Sequence, residues 1–166
     1  MRRVSAVIGS TAFLLLAPGA VAGLVPWWIA GWRIAPPLGG FGWIRWFGAA
    51  LIALGVPLLL DSFARFALQG RGTPAPVLPT EQLVVTGLYR YVRNPMYVGV
   101  VMVVLGQGLV IGSLAVLAYA AALLMTFHVF VMAYEEPKLR QTFGAEYERY
   151  CRNVSRWIPR SRPWRG

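Results

Sequence analysis

The chain has 166 residues, 57% of them hydrophobic and only 13% charged, with a mean hydropathy of +0.57. Soluble domains carry about 25% charged residues, so an ordinary soluble fold is excluded, and the long apolar runs read as one all-α membrane domain spanning residues 1–166. The net charge of +10 does not indicate nucleic acid, because the arginines flank apolar segments and gather towards residue 166, where anionic lipid headgroups are the fitting counter-charge. The single cysteine, Cys151, excludes an internal disulfide.

Four spans are predicted. The first runs from about Val4 to Ala30, interrupted by Pro18 and Pro26. Its start, Met1-Arg2-Arg3 before an apolar run and then Ala20-Val21-Ala22, also has the form of a secretory signal with a cleavage site; a retained first span is the expectation. The second covers about Phe41 to Leu60, with Trp43, Trp46 and Phe47 as interfacial anchors. The third runs from Pro95 to Ile111 and the fourth from Ser113 to Tyr134. A rise of about 1.5 Å per residue lets each cross a core of about 30 Å, the third only marginally.

Between spans two and three, Pro74, Pro76 and Pro79 prevent regular helix. The "LVV" and "TG" that follow predict a short extended piece and a turn. Spans three and four are joined only at Gly112-Ser113, which predicts a tight antiparallel hairpin. The start of span three, Arg93 to Tyr97, must therefore meet the end of span four, His128 to Glu136. Beyond Pro137, Leu139, Phe143, Tyr147, Tyr150, Val154 and Trp157 recur at helical spacing, with arginines on other faces. That pattern predicts a C-terminal amphipathic helix on the membrane or capping the bundle.

Charge orients this layout. Fourteen of the 16 lysines and arginines fall on the side shared by both termini and the 61–94 segment, leaving Arg33 and Arg45 opposite. By the positive-inside tendency, both termini are cytoplasmic.

Two polar clusters converge at that face. "GLYRYVRNPMYVG" (87–99) supplies Arg90, Arg93, Asn94 and three tyrosines; span four supplies His128, Tyr134, Glu135 and Glu136. Ionisable groups at the edge of a membrane bundle are costly unless paired or used. An arginine suits a ligand carboxylate and a glutamate an ammonium. Tyrosine faces suit a sulfonium, and Leu83-Val84-Val85 offers an apolar slot for an aromatic base. S-adenosylmethionine carries all four groups, although a nucleotide also suits an arginine–tyrosine cluster.

"GLYRYVRNPMYVG", "GQGL" and "EEPKLRQTFGAEYERYCRNVSRWIPR" together resemble the isoprenylcysteine carboxyl methyltransferase and phospholipid methyltransferase superfamily, over roughly residues 80 to 160. The resemblance implies an integral membrane enzyme that uses S-adenosylmethionine to methylate a lipophilic acceptor at the cytoplasmic face. The family's Arg-His-Pro-x-Tyr-x-Gly block matches at Arg93, Pro95, Tyr97 and Gly99, while Asn94 replaces the histidine. It implies cofactor contacts at Gln82, Leu83, Val84, Tyr89, Asn94, Pro95, Met96, Tyr97 and Glu135. Arg93, Glu136 and His128 are the implied catalytic candidates. Prenylcysteine enzymes place an arginine one turn before the glutamate pair; this chain has Val131 there, which disfavours a prenylcysteine acceptor.

Plainer roles stand beside these. Arg90 and Tyr91 suit interfacial anchors, and His128 suits a helix-packing histidine. Asp61 and Arg65 suit a local pair, and Gly106 and Gly108 close helix packing. Glutamates at a helix C-terminus oppose the dipole, which favours function for Glu135 or Glu136. A nicotinamide-dependent membrane reductase of similar C-terminal architecture is the alternative enzyme. A small exporter or non-enzymatic bundle is disfavoured as an exporter because no span carries a carboxylate away from its ends.

Overall fold

The computed structural model describes residues 18–69 and 83–166, and among these every regular element is helical. Most of the first span, the signal-like start, the proline-rich 70–82 segment and Gln82 lie outside the described residues.

Helix α1 is a π turn, Ala20–Leu24, running into Val25–Ile29. It is followed by α2 (Trp43–Gln69), α3 (Pro95–Ile111) and α4 (Leu114–Phe130). A second π turn, Val131–Glu135, leads from α4 into α5, Glu136–Asn153. Trp43–Arg65 and Leu114–Asn153 are long and apolar enough to cross a membrane, and Ala20–Ile29 and Pro95–Ile111 are shorter apolar helices. Leu54, Leu60, Leu114, Met125 and Val129 are exposed on the outer surfaces of α2 and α4, where lipid tails rather than water are the fitting neighbours.

Small residues bring α2 and α3 together. Gly48 faces Gly106 and Gly55 faces Gly99, and a Cβ added at Gly55 or Gly99 would lie 2.9 Å from the other's carbonyl oxygen. Lipid tails give helices no hydrophobic reason to associate, so close backbone packing at small residues replaces it. Gly108 lies against Leu117 of α4, within the expected hairpin. At the turn Gly112 takes φ 78°, a conformation glycine adopts without strain. Ser113 then caps α4, its hydroxyl accepting from the Val116 N–H at 3.3 Å.

Each π turn stands just before a proline. Pro26 and Pro137 have no N–H, and their rings crowd the carbonyl four residues back; a π turn widens the helix there. Around Pro26 the carbonyls find side-chain donors instead. The Gln107 amide donates to the Ala22 carbonyl, and the Tyr119 hydroxyl donates to Val21 at 3.1 Å. This accounts for two polar residues in otherwise apolar spans. Gln107→Leu should destabilise the protein by about 1–3 kcal/mol, because a carbonyl in apolar surroundings loses its donor. Thermal unfolding in mild detergent would measure it.

Two expectations need correction. The helix of span four does not stop near Tyr134, because the π turn carries it on through Pro137 into Glu136–Asn153, up to a kink at Gly144 (φ 51°, ψ −124°). Glu135 and Glu136 therefore do not sit at a helix C-terminus, and the dipole argument for their function lapses. Trp157 is not on the amphipathic helix either. After Asn153 the chain turns back, so that Ser155, Arg160 and Trp164 bond to the backbone of residues 90–93.

The amphipathic helix caps the bundle. Tyr147, Tyr150 and Val154 form a second small core with Leu83, Val85, Leu139, Phe143 and Trp164. Tyr150 donates its hydroxyl to the Tyr89 carbonyl at 2.7 Å. Asp61 and Arg65 form the expected local pair, at 2.7 and 2.9 Å. The Arg65 guanidinium also lies over Gly87 and reaches Thr86, tying α2 to the segment that enters α3.

Candidate active site

The hairpin fixes the geometry of the mouth. Residues 93–97 and 135–136 meet there, and Cys151 near the end of α5 and the returning chain at Arg156 close the third side.

Glu136 opens α5, beyond the end of the span, and is buried with its side chain only 4% exposed. Its Oε1 accepts from Arg93 Nη1 at 3.1 Å, and Arg156 donates to both oxygens, at 2.6 and 3.0 Å. Arg140 adds a contact at 3.5 Å. Burial acts to raise the Glu136 carboxyl. The Arg156 hydrogen bond and the charges of Arg93, Arg156 and Arg140 outweigh it and hold the carboxyl below its usual range.

Arg93 also donates to Cys151 Sγ at 2.8 Å, and its backbone N–H bonds Ser155. The buried Arg93 Nε makes no hydrogen bond among the described residues. Asn94 donates through Nδ2 to the Arg156 carbonyl at 3.2 Å. That bond needs only a neutral N–H, which asparagine supplies.

One residue earlier on the other wall, Glu135 Oε1 accepts the Tyr97 hydroxyl at 2.6 Å. The Tyr97 ring packs on Phe127, centroids 4.6 Å apart. Further up α4, His128 Nδ1 accepts the Trp157 indole N–H at 3.1 Å.

The remaining sequence candidates occupy framing positions. Pro95 is buried at the first turn of α3, and Met96 packs against the apolar core. Tyr89 is buried, its hydroxyl bonded to Ser62, and burial pushes the phenol up. Val84 is buried, while Leu83 lines a cleft of about 500 Å³ shared with Val85, Gly87, Arg90 and Trp164. Arg90 donates to the Trp164 carbonyl at 2.6 Å and so fastens the returning chain.

The model of the phospholipid methyltransferase family matches residues 43–146, the stretch that includes α2, α3, α4 and both glutamates. The chain belongs to the phospholipid methyltransferase family. It is also similar to the Protein-S-isoprenylcysteine O-methyltransferase of Schizosaccharomyces pombe, 35% identical over 77 residues. That stretch is 46% of this chain and 33% of the relative, so the chain covers about a third of that protein. No solved structure matches it.

Of the residues singled out in the sequence of this phospholipid methyltransferase family member, the fold brings Arg93, Asn94, Tyr97, Glu135 and Glu136 to one mouth, with His128 further up α4 against Trp157. Sequence reasoning missed Arg156, Trp157, Cys151 and Phe127. Helical spacing put Trp157 on the apolar face and Arg156 on another face of a continuing helix, but the helix stops at Asn153 and the turn brings Arg156 to Glu136 and Trp157 to His128. Little local signal marked this reversal, since the first proline beyond the helix, Pro159, stands five residues past the C-cap Val154.

Proposed function

We propose that this chain is an S-adenosylmethionine-dependent methyltransferase that methylates a lipophilic acceptor at the polar mouth between α3 and α4. The observation that carries the reading is the pairing at that mouth of a half-buried carboxylate, Glu135, with an arginine whose buried Nε has no partner among the described residues. An ammonium and a carboxylate on one ligand fit these two groups. Leu83 and Val85, in the cleft they share with Arg90 and Trp164, fit its adenine, and the Tyr97 and Phe127 rings fit the sulfonium.

When bound, the donor supplies a methyl carbon that bonds to the acceptor's lone pair as the carbon–sulfur bond breaks and its electrons leave with sulfur. The chain's part is alignment and exclusion of water. In this reading Glu135 holds the ammonium, and Asn94, Pro95 and Met96 shape the entry to α3. Glu136 acts on Arg93, holding its guanidinium towards the donor. Val84 and Tyr89 fix the wall from behind, and Gln82 stands at its edge in sequence.

The whole chain forms one domain that crosses the membrane several times with both termini cytoplasmic, and anionic headgroups neutralise the basic face. The 14-to-2 division of lysines and arginines supports that orientation. Incubating the purified protein with methyl-labelled S-adenosylmethionine and a total lipid extract of the source cells tests the reading. Label should enter a lipid-soluble product. Oxidation of a nicotinamide cofactor without label transfer would replace this reading with a reductase.

A further inference from the structure

After Val154 the chain leaves α5 as a strap, residues 155–166, that runs beside the entry to α3. Val92 and Ser155 form a parallel bridge, and the Arg93 N–H donates to the Ser155 carbonyl at 2.9 Å. Farther along, the Arg160 and Trp164 N–H groups donate to the Tyr91 and Arg90 carbonyls at 3.0 and 2.9 Å. Between these fastenings Arg156 bonds Glu136 and Asn94, and Trp157 bonds His128. The strap therefore holds the corner where Arg93, Asn94 and Glu136 meet.

The outer face of the strap is apolar at its tip and basic beside it. Ile158 is 77% exposed. It follows Trp157, whose ring reaches down to His128, about two turns or about 10 Å deeper along α4 than Glu135. Val129 and Met132 are exposed on α4 at that level, where lipid tails are the fitting neighbours. Ile158 thus stands at the apolar edge of the bilayer and continues this lipid-facing surface. Arg162 is exposed too, between the contacts at Tyr91 and Arg90, a level outside the first turn of α3 at Pro95. An apolar tip with an arginine a step outward is the pattern of an interfacial anchor. Arginine at that level attracts anionic headgroups.

We propose that the strap, residues 155–166, is a docking surface for an anionic membrane leaflet. Ile158 enters the apolar edge, and Arg162 with exposed Arg152 and Arg165 takes the headgroups. Docking then steadies the strap and, through it, the Arg93–Asn94–Glu136 corner. The proposal needs a bilayer around α2, α3 and α4 but not methyl transfer, so it stands or falls apart from that reading. It also moves the membrane contact expected of the amphipathic helix: α5 caps the bundle, and the strap beyond it touches lipid.

Hydrogen exchange of the full-length protein in lipid nanodiscs tests this, read at the Arg160 and Trp164 amides. In discs of mixed phosphatidylcholine and phosphatidylglycerol these amides should exchange about fivefold more slowly, or slower still, than in phosphatidylcholine alone. That factor corresponds to about 1 kcal/mol for one arginine at an anionic surface, and high salt should erase it. Arg162→Gln should speed exchange about fivefold in the anionic disc and leave it unchanged in the neutral one. Ile158→Ser should speed it about tenfold in both discs, the lower end of what burying one aliphatic side chain contributes. Ile158→Leu should exchange like the wild type. The Tyr150 amide, within α5, should stay unchanged throughout, which separates release of the strap from unfolding. Equal exchange of the wild type in the two discs would overturn the proposal, as would an Ile158→Ser variant that exchanges like the wild type. Release of Tyr150 together with the strap in Ile158→Ser would make Ile158 a packing residue and overturn it. Slowing seen only in discs loaded with two copies would assign the surface to a second copy of the chain and overturn it as well.

Discussion

Glu136→Gln is expected to destabilise the protein by about 3 kcal/mol, the lower end of the cost of removing one partner from a buried ion pair. The carboxylate is 4% exposed, and it faces Arg93, 11% exposed, together with Arg156 and Arg140. Glutamine keeps the shape but not the charge, so buried Arg93 loses its counter-ion while Arg140 and Arg156 recover some water. The damage should spread, because Glu136 joins α5 to the start of α3 and to the returning chain. Thermal unfolding in mild detergent would measure the loss. Glu148→Gln is the control: its pair with Arg140 is exposed at both ends, and its removal should leave the unfolding temperature unchanged. The same ion cluster sets a pH dependence. The folded Glu136 carboxyl titrates below its unfolded value of about 4.3, so its stabilisation is complete above that value and is lost as the pH falls further, through the folded value. Glu136→Gln should remove this part of the acid sensitivity. An unchanged unfolding temperature would contradict the role given to Glu136.

Much of this arrangement is legible in the residues because strong local signals set it. Two residues, Gly112 and Ser113, separate two apolar runs, and that alone forces Arg93–Tyr97 against His128–Glu136. Hydrophobic runs identify α2, α3 and α4, and glycine spacing indicates their packing. What was not legible depends on backbone adjustments at proline. Pro137 looks like a helix break, yet a π turn absorbs it, so the glutamates sit inside a continuous helix. The reversal after Asn153 has no strong local signature, and it brings Arg156 to Glu136 and Trp157 to His128. Helical periodicity extended past its true end therefore misplaced the two residues that decide what Glu136 and His128 can do.

Glu135→Gln should leave the fold intact and weaken donor binding by 10- to 150-fold, the equivalent of about 1.5–3 kcal/mol for a hydrogen bond to a charged group. Glutamine still accepts the Tyr97 hydroxyl through its carbonyl oxygen, so the α3–α4 contact at 2.6 Å survives the change. What it loses is the negative charge that the proposed function sets opposite the donor's ammonium. This separates the adjacent glutamates: Glu136→Gln lowers stability, while Glu135→Gln lowers affinity. The most direct measurement is an equilibrium titration of wild type and Glu135→Gln with S-adenosylhomocysteine, which keeps the ammonium and carboxylate, alongside a nicotinamide dinucleotide. The account predicts that the wild type binds S-adenosylhomocysteine, that the variant binds it at least tenfold more weakly, and that neither binds the dinucleotide. Binding of the dinucleotide alone by the wild type would contradict it.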